Sequence, residues 1–128
     1  TGREEDRFAF RTPSLRNVAL TGPWGHSGAY SDLASFVAAH ADPTAALQSF
    51  DRSGVVLPEF EAADWRIMDD PAEVAAISAA VEVEPLALEA QEVADIVAFL
   101  HSLTDPAMKA GRLGVPKAVP SGLRVPKP

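Results

Sequence analysis

Three histidines, His26, His40 and His101, are the side chains of this chain best suited to chemistry. Imidazole binds metals and exchanges protons near neutral pH. None of the three stands beside a hydroxyl or carboxylate in a pattern typical of nucleophilic or acid–base catalysis. We therefore assign no catalytic residue, and we ask instead whether a histidine binds a metal or cofactor.

His40 is the most informative of the three, because it follows a periodic apolar pattern. Leu33, Phe36, Val37 and His40 are spaced as i, i+3, i+4 and i+7, which is one face of an α-helix. An imidazole on such a face must either hydrogen-bond within the core or bind a metal or haem there. We predict that His40 points inward, as a ligand or as a core histidine.

His26 lies in a loop of unusual composition. Residues 21–28 read Thr-Gly-Pro-Trp-Gly-His-Ser-Gly, with three glycines and one proline, a density typical of a tightly folded loop. Glycines allow the backbone to approach a flat ligand closely. His26 could contact such a ligand or hold the turn by hydrogen bonds. His101 lies off the apolar stripe of its segment and is expected at the surface.

Other candidate binding residues each have a simpler structural explanation. Trp24, Trp65 and Met68 could line a cofactor, although such side chains commonly form the core of a small domain. Arg16 could pair with an acidic group such as a haem propionate, or lie in solvent. The acidic residues lack the spacing of an EF-hand, so we interpret them as helix caps and solvated surface.

Composition excludes several classes of function. The chain has 128 residues, 47% of them hydrophobic, and a net charge of −7, which suits one globular domain and disfavours nucleic acid and anionic membranes as partners. The absence of cysteine excludes disulfides, thiolate sites and thioether-attached haem within this stretch. No window approaches the roughly 18 to 20 apolar residues of a membrane span. The start, Thr1-Gly2-Arg3, predicts a processed product or a piece of a longer polypeptide.

Helical patterns account for most of the chain. Residues 44–66 show no sustained period, and no segment alternates as a strand would. We predict an all-α domain over residues 1–106, followed by an extended tail rich in Pro and Gly over residues 107–128. The predicted helices run from Thr12-Pro13-Ser14 to about Leu20, from an N-cap at Ser31 to Asp42-Pro43, from Asp69-Asp70-Pro71 to about Val81, and from Glu89 to Thr104.

One long segment resembles a known family. Residues 10–28 read F-R-T-P-S-L-R-N-V-A-L-T-G-P-W-G-H-S-G. This resembles the signature of the bacterial di-haem cytochrome c peroxidase family, which includes the MauG-like enzymes. The resemblance continues through Asp32-Leu33 and the helix that follows, and through residues 64–71, 92–100, 103–106 and 119–123, so nearly the whole chain is covered. It corresponds to the C-terminal part of the family's C-terminal haem domain, and it implies a cytochrome c-like helical fold and a periplasmic location.

The resemblance implies roles for several residues. His40 falls where the family has the distal axial ligand of the high-potential haem, usually Met and in MauG-like members Tyr. A histidine ligand should lower the reduction potential relative to Met. His26 matches a histidine near the haem edge, with a structural or electron-path role. Thr21 and Pro23 match positions whose main-chain carbonyls help to bind calcium. Trp24 replaces the usual Tyr or Phe.

The family attaches haem c through Cys-x-x-Cys-His, which this chain lacks. The resemblance therefore implies half of a haem domain, whose partner is the remainder of a parent di-haem polypeptide. The implied activity is reduction of hydrogen peroxide with electrons from a small redox protein. The alternatives are a MauG-like enzyme that oxidises aromatic residues of a partner protein, and a haem-free binding module that retains the helical shell.

Overall fold

A computed structural model describes residues 2–56, 63–109 and 119–123. Within these residues the regular structure is helical, with only an isolated bridge between Trp24 and Tyr30 in place of a sheet. The all-α prediction is confirmed, and the architecture agrees with a cytochrome c-like helical domain. The α-helices of the described part are α1 (Leu33–Ala41), α2 (Pro43–Gln48), α3 (Arg66–Asp69), α4 (Pro71–Ala79), α5 (Ala90–Ser102) and α6 (Pro106–Lys109).

The centre of the fold is the contact between α1 and α5. Leu33 of α1 and Leu100 of α5 are the only described apolar side chains that are buried. A 3-10 turn, Val18–Leu20, packs on α5, and α2 packs on α4. Large apolar side chains remain exposed, among them Phe10 at 71% and Phe99 at 56%. Burial of apolar surface drives folding, so these exposed side chains contribute little to the stability of the described part of the chain.

The two helices with clear start signals form as predicted. Helix α5 begins with a capping box. The Glu92 carboxylate accepts from the Glu89 main-chain N–H at 2.8 Å, and the Glu89 carboxylate accepts from the Glu92 main-chain N–H. Helix α4 begins with Pro71 after Asp70, whose Oδ1 accepts from the Ala72 amide at 2.8 Å. Both helices end within two residues of the predicted positions.

The predicted helix from Thr12 to Leu20 is wrong. Only Val18–Leu20 forms a 3-10 turn. Ser14 uses its hydroxyl locally, accepting from the Arg16 amide at 3.2 Å, and Asn17 adopts a left-handed conformation with φ of 60°. Serine and asparagine side chains compete with helical hydrogen bonding in this way.

The cap of α1 is Asp32 rather than Ser31. Asp32 Oδ2 accepts from the Ser35 amide at 2.7 Å, whereas the Ser31 hydroxyl donates to the Gly54 carbonyl. The stop at Asp42-Pro43 is confirmed. The sequence reading missed that the same pair starts α2, in which Asp42 Oδ1 accepts from the Ala45 amide at 2.9 Å.

Most of the predicted tail, residues 110–118 and 124–128, lies outside the described residues. Residues 107–109 belong to the helical turn α6, and residues 119–122 form a turn closed by the Gly122 amide on the Val119 carbonyl. No helix in the described part of the chain is long and apolar enough to cross a membrane.

Candidate functional site

His40 lies in the last turn of α1 and is exposed. Leu33 on the same face is buried, and Phe36 and Val37 are half-buried. The prediction that His40 points into a core is therefore wrong for the described chain, because the residue is exposed although Leu33 on the same face is buried. The imidazole is accessible to a ligand.

The environment of the His40 ring selects one tautomer. Nδ1 lies 2.9 Å from the Phe36 carbonyl oxygen, and the Phe36 ring meets the imidazole edge-on with centroids 4.4 Å apart. A carbonyl oxygen can only accept, so Nδ1 carries a proton, and in the neutral imidazole the lone pair is then on Nε2. Histidines that bind metals commonly donate their second N–H to a carbonyl in this way. Nε2 makes no hydrogen bond with any described residue.

The glycine-rich loop lies against the same helix. Trp24 and Tyr30 exchange two main-chain hydrogen bonds, at 2.8 and 2.9 Å, which close residues 24–30 into a compact loop. Gly25 has φ of 80°, and a Cβ there would lie 3.2 Å from the Phe36 ring. Glycine is therefore required for the loop to approach α1, and the approach brings it beside the residue that anchors His40.

Trp24 supports the loop from within. Its ring is half-buried against Gly22, and its Nε1 donates to the Val18 carbonyl at 2.8 Å. This contact joins the loop to the 3-10 turn that packs on α5. A role for Trp24 in binding a cofactor stays a prediction, while its structural role is visible.

His26 is exposed and packs against Phe10, with ring centroids 4.9 Å apart. The Thr21 hydroxyl donates to the Val18 carbonyl at 3.1 Å. The carbonyls of Thr21 and Pro23 accept no hydrogen bond from the described residues, so their lone pairs are free for a cation. The described residues contain no cluster of three or more His, Cys, Asp or Glu that could hold a metal ion. The calcium prediction concerns main-chain oxygens and stays a prediction.

Arg16 is not free. Its Nη2 donates to Asp105 Oδ2 at 2.7 Å, and its side chain is 66% exposed. The Arg7 guanidinium likewise binds both carboxylate oxygens of Glu73 at 2.8 Å. A propionate-binding role for Arg16 stays a prediction, since it would require the cation to share or leave Asp105.

Sequence reasoning missed Asn17. Its side-chain Oδ1 accepts from the Asp105 main-chain N–H at 2.7 Å, and its main-chain N–H donates to the Leu103 carbonyl at 3.2 Å. Together with Arg16 it fastens the start of the chain to the end of α5. Asparagine's tolerance of left-handed conformation was a signal, but its distant partner was not visible in the sequence.

Trp65 and Met68 are half-buried, and His101 is exposed as expected. The Arg52 guanidinium stacks on Trp65 with 5.0 Å between the cation and the ring centroid. The site that the structure assembles is therefore His40, Phe36, the loop of residues 21–30 and the 3-10 turn beneath it.

Comparison with known proteins gives a single result of note. No family model and no solved structure matches the chain. The methylamine utilization protein MauG of Paracoccus denitrificans (strain Pd 1222) is 35% identical over 96 residues, which is 75% of this chain and 23% of MauG. The chain thus spans about a quarter of the length of that relative, and it is similar to one part of it.

Proposed function

We propose that this chain forms the distal side of a haem c site in a periplasmic di-haem oxidoreductase of the cytochrome c peroxidase and MauG family. The observation that carries the proposal is His40, whose Nδ1 lies 2.9 Å from the Phe36 carbonyl oxygen while the residue as a whole is exposed. Similarity to MauG over 75% of the chain supports the same family.

The residues present fit a haem in their chemistry. Imidazole nitrogen is a common axial ligand of haem iron, and the neutral tautomer that donates from Nδ1 to Phe36 leaves Nε2 able to bind the iron. The exposed apolar side chains around the shell, including Phe10 and Leu20, suit a large apolar macrocycle and the protein that would hold it. The attaching cysteines would come from the remainder of the parent polypeptide, because this chain has none.

When bound, the haem would supply the redox chemistry toward hydrogen peroxide. The residues of this chain would bind the haem iron, orient the imidazole that binds it and cover this side of the haem. His40 would bind the haem iron with a restrained ring orientation, because the bond to Phe36 limits the rotation of the imidazole. The loop of residues 21–30 would limit access of water beside it. Electrons would arrive from a small redox protein.

The test uses the haem-loaded parent polypeptide. His40→Ala should convert one of two haems from a low-spin to a high-spin ferric spectrum, with the other unchanged. His101→Ala is the matched control, because His101 is also exposed in the last turn of a helix and should leave both haems unchanged. If His40→Ala leaves the spectrum as it is, His40 is not a ligand and the proposal fails.

Similarity to MauG favours a second candidate within the same family, an enzyme that oxidises aromatic residues of a partner protein. Addition of hydrogen peroxide without an electron donor distinguishes the two. A spectral change that persists for minutes supports the modifying enzyme, whereas turnover that requires a reduced redox protein supports the peroxidase. A parent polypeptide that binds no haem would support the haem-free module instead.

Calcium bound by the Thr21 and Pro23 carbonyls is part of the proposal. These oxygens suit a hard cation, and no described residue occupies them. Removal of calcium with a selective chelator should change the haem spectrum of the parent polypeptide, and added Ca²⁺ should restore it. An unchanged spectrum, with no calcium found in the untreated protein by elemental analysis, would contradict the calcium site.

A further inference from the structure

Five ring side chains form a continuous path that begins at His40. The centroid distances are 4.4 Å from His40 to Phe36, 5.4 Å from Phe36 to Tyr30, 5.6 Å from Tyr30 to Phe50 and 6.2 Å from Phe50 to Trp65. Each step lies within the range of direct ring contact. The path crosses from α1 through the glycine-rich loop to Phe50, which follows α2, and then to Trp65, which precedes α3. All rings beyond His40 are half-buried.

From this geometry we infer that the rings form an electron-transfer route, with Trp65 as the oxidisable residue at its outer end. The inference rests on the proposed function, because the route begins at the ligand of a haem. Electronic coupling falls steeply across gaps and is retained through atoms in contact, so a contiguous row of rings is a better route than the surrounding aliphatic side chains.

Chemistry singles out Trp65 as the end of the route. Phenylalanine is hard to oxidise, which leaves Tyr30 and Trp65 as the residues that can hold an oxidising equivalent. Oxidised tyrosine must lose its phenolic proton, and no described residue accepts a hydrogen bond from the Tyr30 hydroxyl. Burial also raises the pKa of that hydroxyl. Trp65 lies at the far end of the row of rings and is half-buried, as Tyr30 is.

Arg52 holds Trp65 and shapes its oxidation. The guanidinium lies over the indole, its Nη1 pairs with Asp69 Oδ1 at 2.7 Å, and its Nη2 donates to the Met68 carbonyl at 3.2 Å. A cation over the ring opposes a second positive charge on it. Loss of an electron by Trp65 is therefore coupled to loss of its Nε1 proton, which no described residue binds.

With hydrogen peroxide as the oxidant at the haem, Trp65 would give one electron along the route and its Nε1 proton to water, which would leave a neutral indolyl radical. An external one-electron redox protein then reduces the radical, and a proton returns to Nε1. Two such passages supply the two electrons that, with two protons taken up from solvent, reduce one hydrogen peroxide to two waters.

The experiment treats the haem-loaded parent polypeptide with hydrogen peroxide in the presence of a nitroso spin trap and no donor. The trap adds to a carbon-centred tryptophan radical, and mass spectrometry of the digest locates the adduct. We expect an adduct on Trp65 that falls severalfold in Phe50→Leu, which removes a ring from the route but retains apolar volume. Phe50→Tyr should restore the adduct, since it returns a ring to the same position.

Control variants distinguish a failure of the ring route from a failure of His40 as the haem ligand. Phe99→Leu removes an exposed ring of α5 outside the route and should not change the Trp65 adduct. The ferric spectra of wild type and His40→Ala are recorded first, and identical spectra overturn the proposed function and the route with it. If His40→Ala changes the spectrum but the Trp65 adduct is absent, or is equal in Phe50→Leu and wild type, the route alone is overturned.

Discussion

The amide of Asp105 donates a 2.7 Å hydrogen bond to the side-chain oxygen of Asn17, 88 residues earlier in the chain. Arg16 reinforces the same junction by binding the Asp105 carboxylate. Asp105 also caps α6, because its Oδ1 accepts from the Ala107 amide at 2.8 Å. One aspartate thus joins the segment before the glycine-rich loop to the end of α5.

Asn17→Ala should destabilise the protein by about 2–4 kcal/mol. An amide left unsatisfied costs about 1–3 kcal/mol, and alanine in the left-handed conformation adds roughly 1 kcal/mol. Asn17→Gly accepts the φ of 60° and should lose only the hydrogen-bond contribution. Urea unfolding followed by tryptophan fluorescence measures both. Equal losses in the two variants would show that backbone conformation contributes nothing here.

The free energy of unfolding should fall in acid, because the aspartates at this cap and at other caps become protonated. The amide of Ala107 and then Arg16 hold the pKa of Asp105 below its ordinary value of 3.8. A folded pKa below the unfolded one contributes stability that is complete above pH 3.8 and is lost as the pH falls through the folded pKa. Hydrogen bonds from Ser35 and from Ser53 lower the pKa of Asp32 and of Asp51 in the same way.

Asp105→Asn should therefore flatten part of the fall in unfolding free energy below pH 3.8. Arg16→Met should flatten it less, because the Ala107 amide is the larger cause of the lowered pKa. Thermal unfolding at a series of pH values from 5 downward, roughly one-half unit apart, measures the slopes. A steeper slope in Asp105→Asn than in wild type would contradict the assignment.

Gly28→Ala should disrupt the loop, whereas Gly54→Ala should be tolerated. Gly28 has φ of 72°, and a Cβ there would lie 2.8 Å from Pro23 Cγ, so the substitution combines backbone strain with a clash. We expect a loss of about 1–3 kcal/mol. Gly54 has open space around its Cα and is the matched control, expected to change stability by less than about 0.5 kcal/mol. Similar losses in the two variants would show that the loop relaxes around the new methyl group.

Helices whose ends are set by neighbouring residues could be predicted from local sequence patterns. Helix α5 has both an apolar stripe and a capping box, and α4 has Asp70 followed by Pro71, so each could be located from its own residues. The six residues of α2 are too few to show a period. The first helix was mispredicted because the partners of Asn17 come from residues 103 and 105, and no local pattern reveals them.

The candidate site was predictable in its residues but not in its geometry. Periodicity identified the face of α1 that contains His40, and the density of glycine identified the loop. The hydrogen bond from Nδ1 to Phe36 follows from the i−4 position of that carbonyl, yet only the structure shows that the ring takes this rotamer. Exposure of His40 could not be foreseen, since an apolar face indicates that something covers it without saying what.

His40→Met should raise the reduction potential of the haem that this chain ligates. A thioether stabilises ferrous iron relative to imidazole, and the Nδ1–H bond to Phe36 makes His40 more electron-donating, so both effects of the substitution have the same sign. We expect a shift on the order of 0.1 V, a fraction of the ~0.8 V that axial ligands span. Spectroelectrochemical titration of the parent polypeptide measures it, with His101→Met as the control that leaves both potentials unchanged. Equal potentials in His40→Met and wild type would exclude His40 as the ligand, because an exchange of ligand atoms without a change in potential has no physical basis.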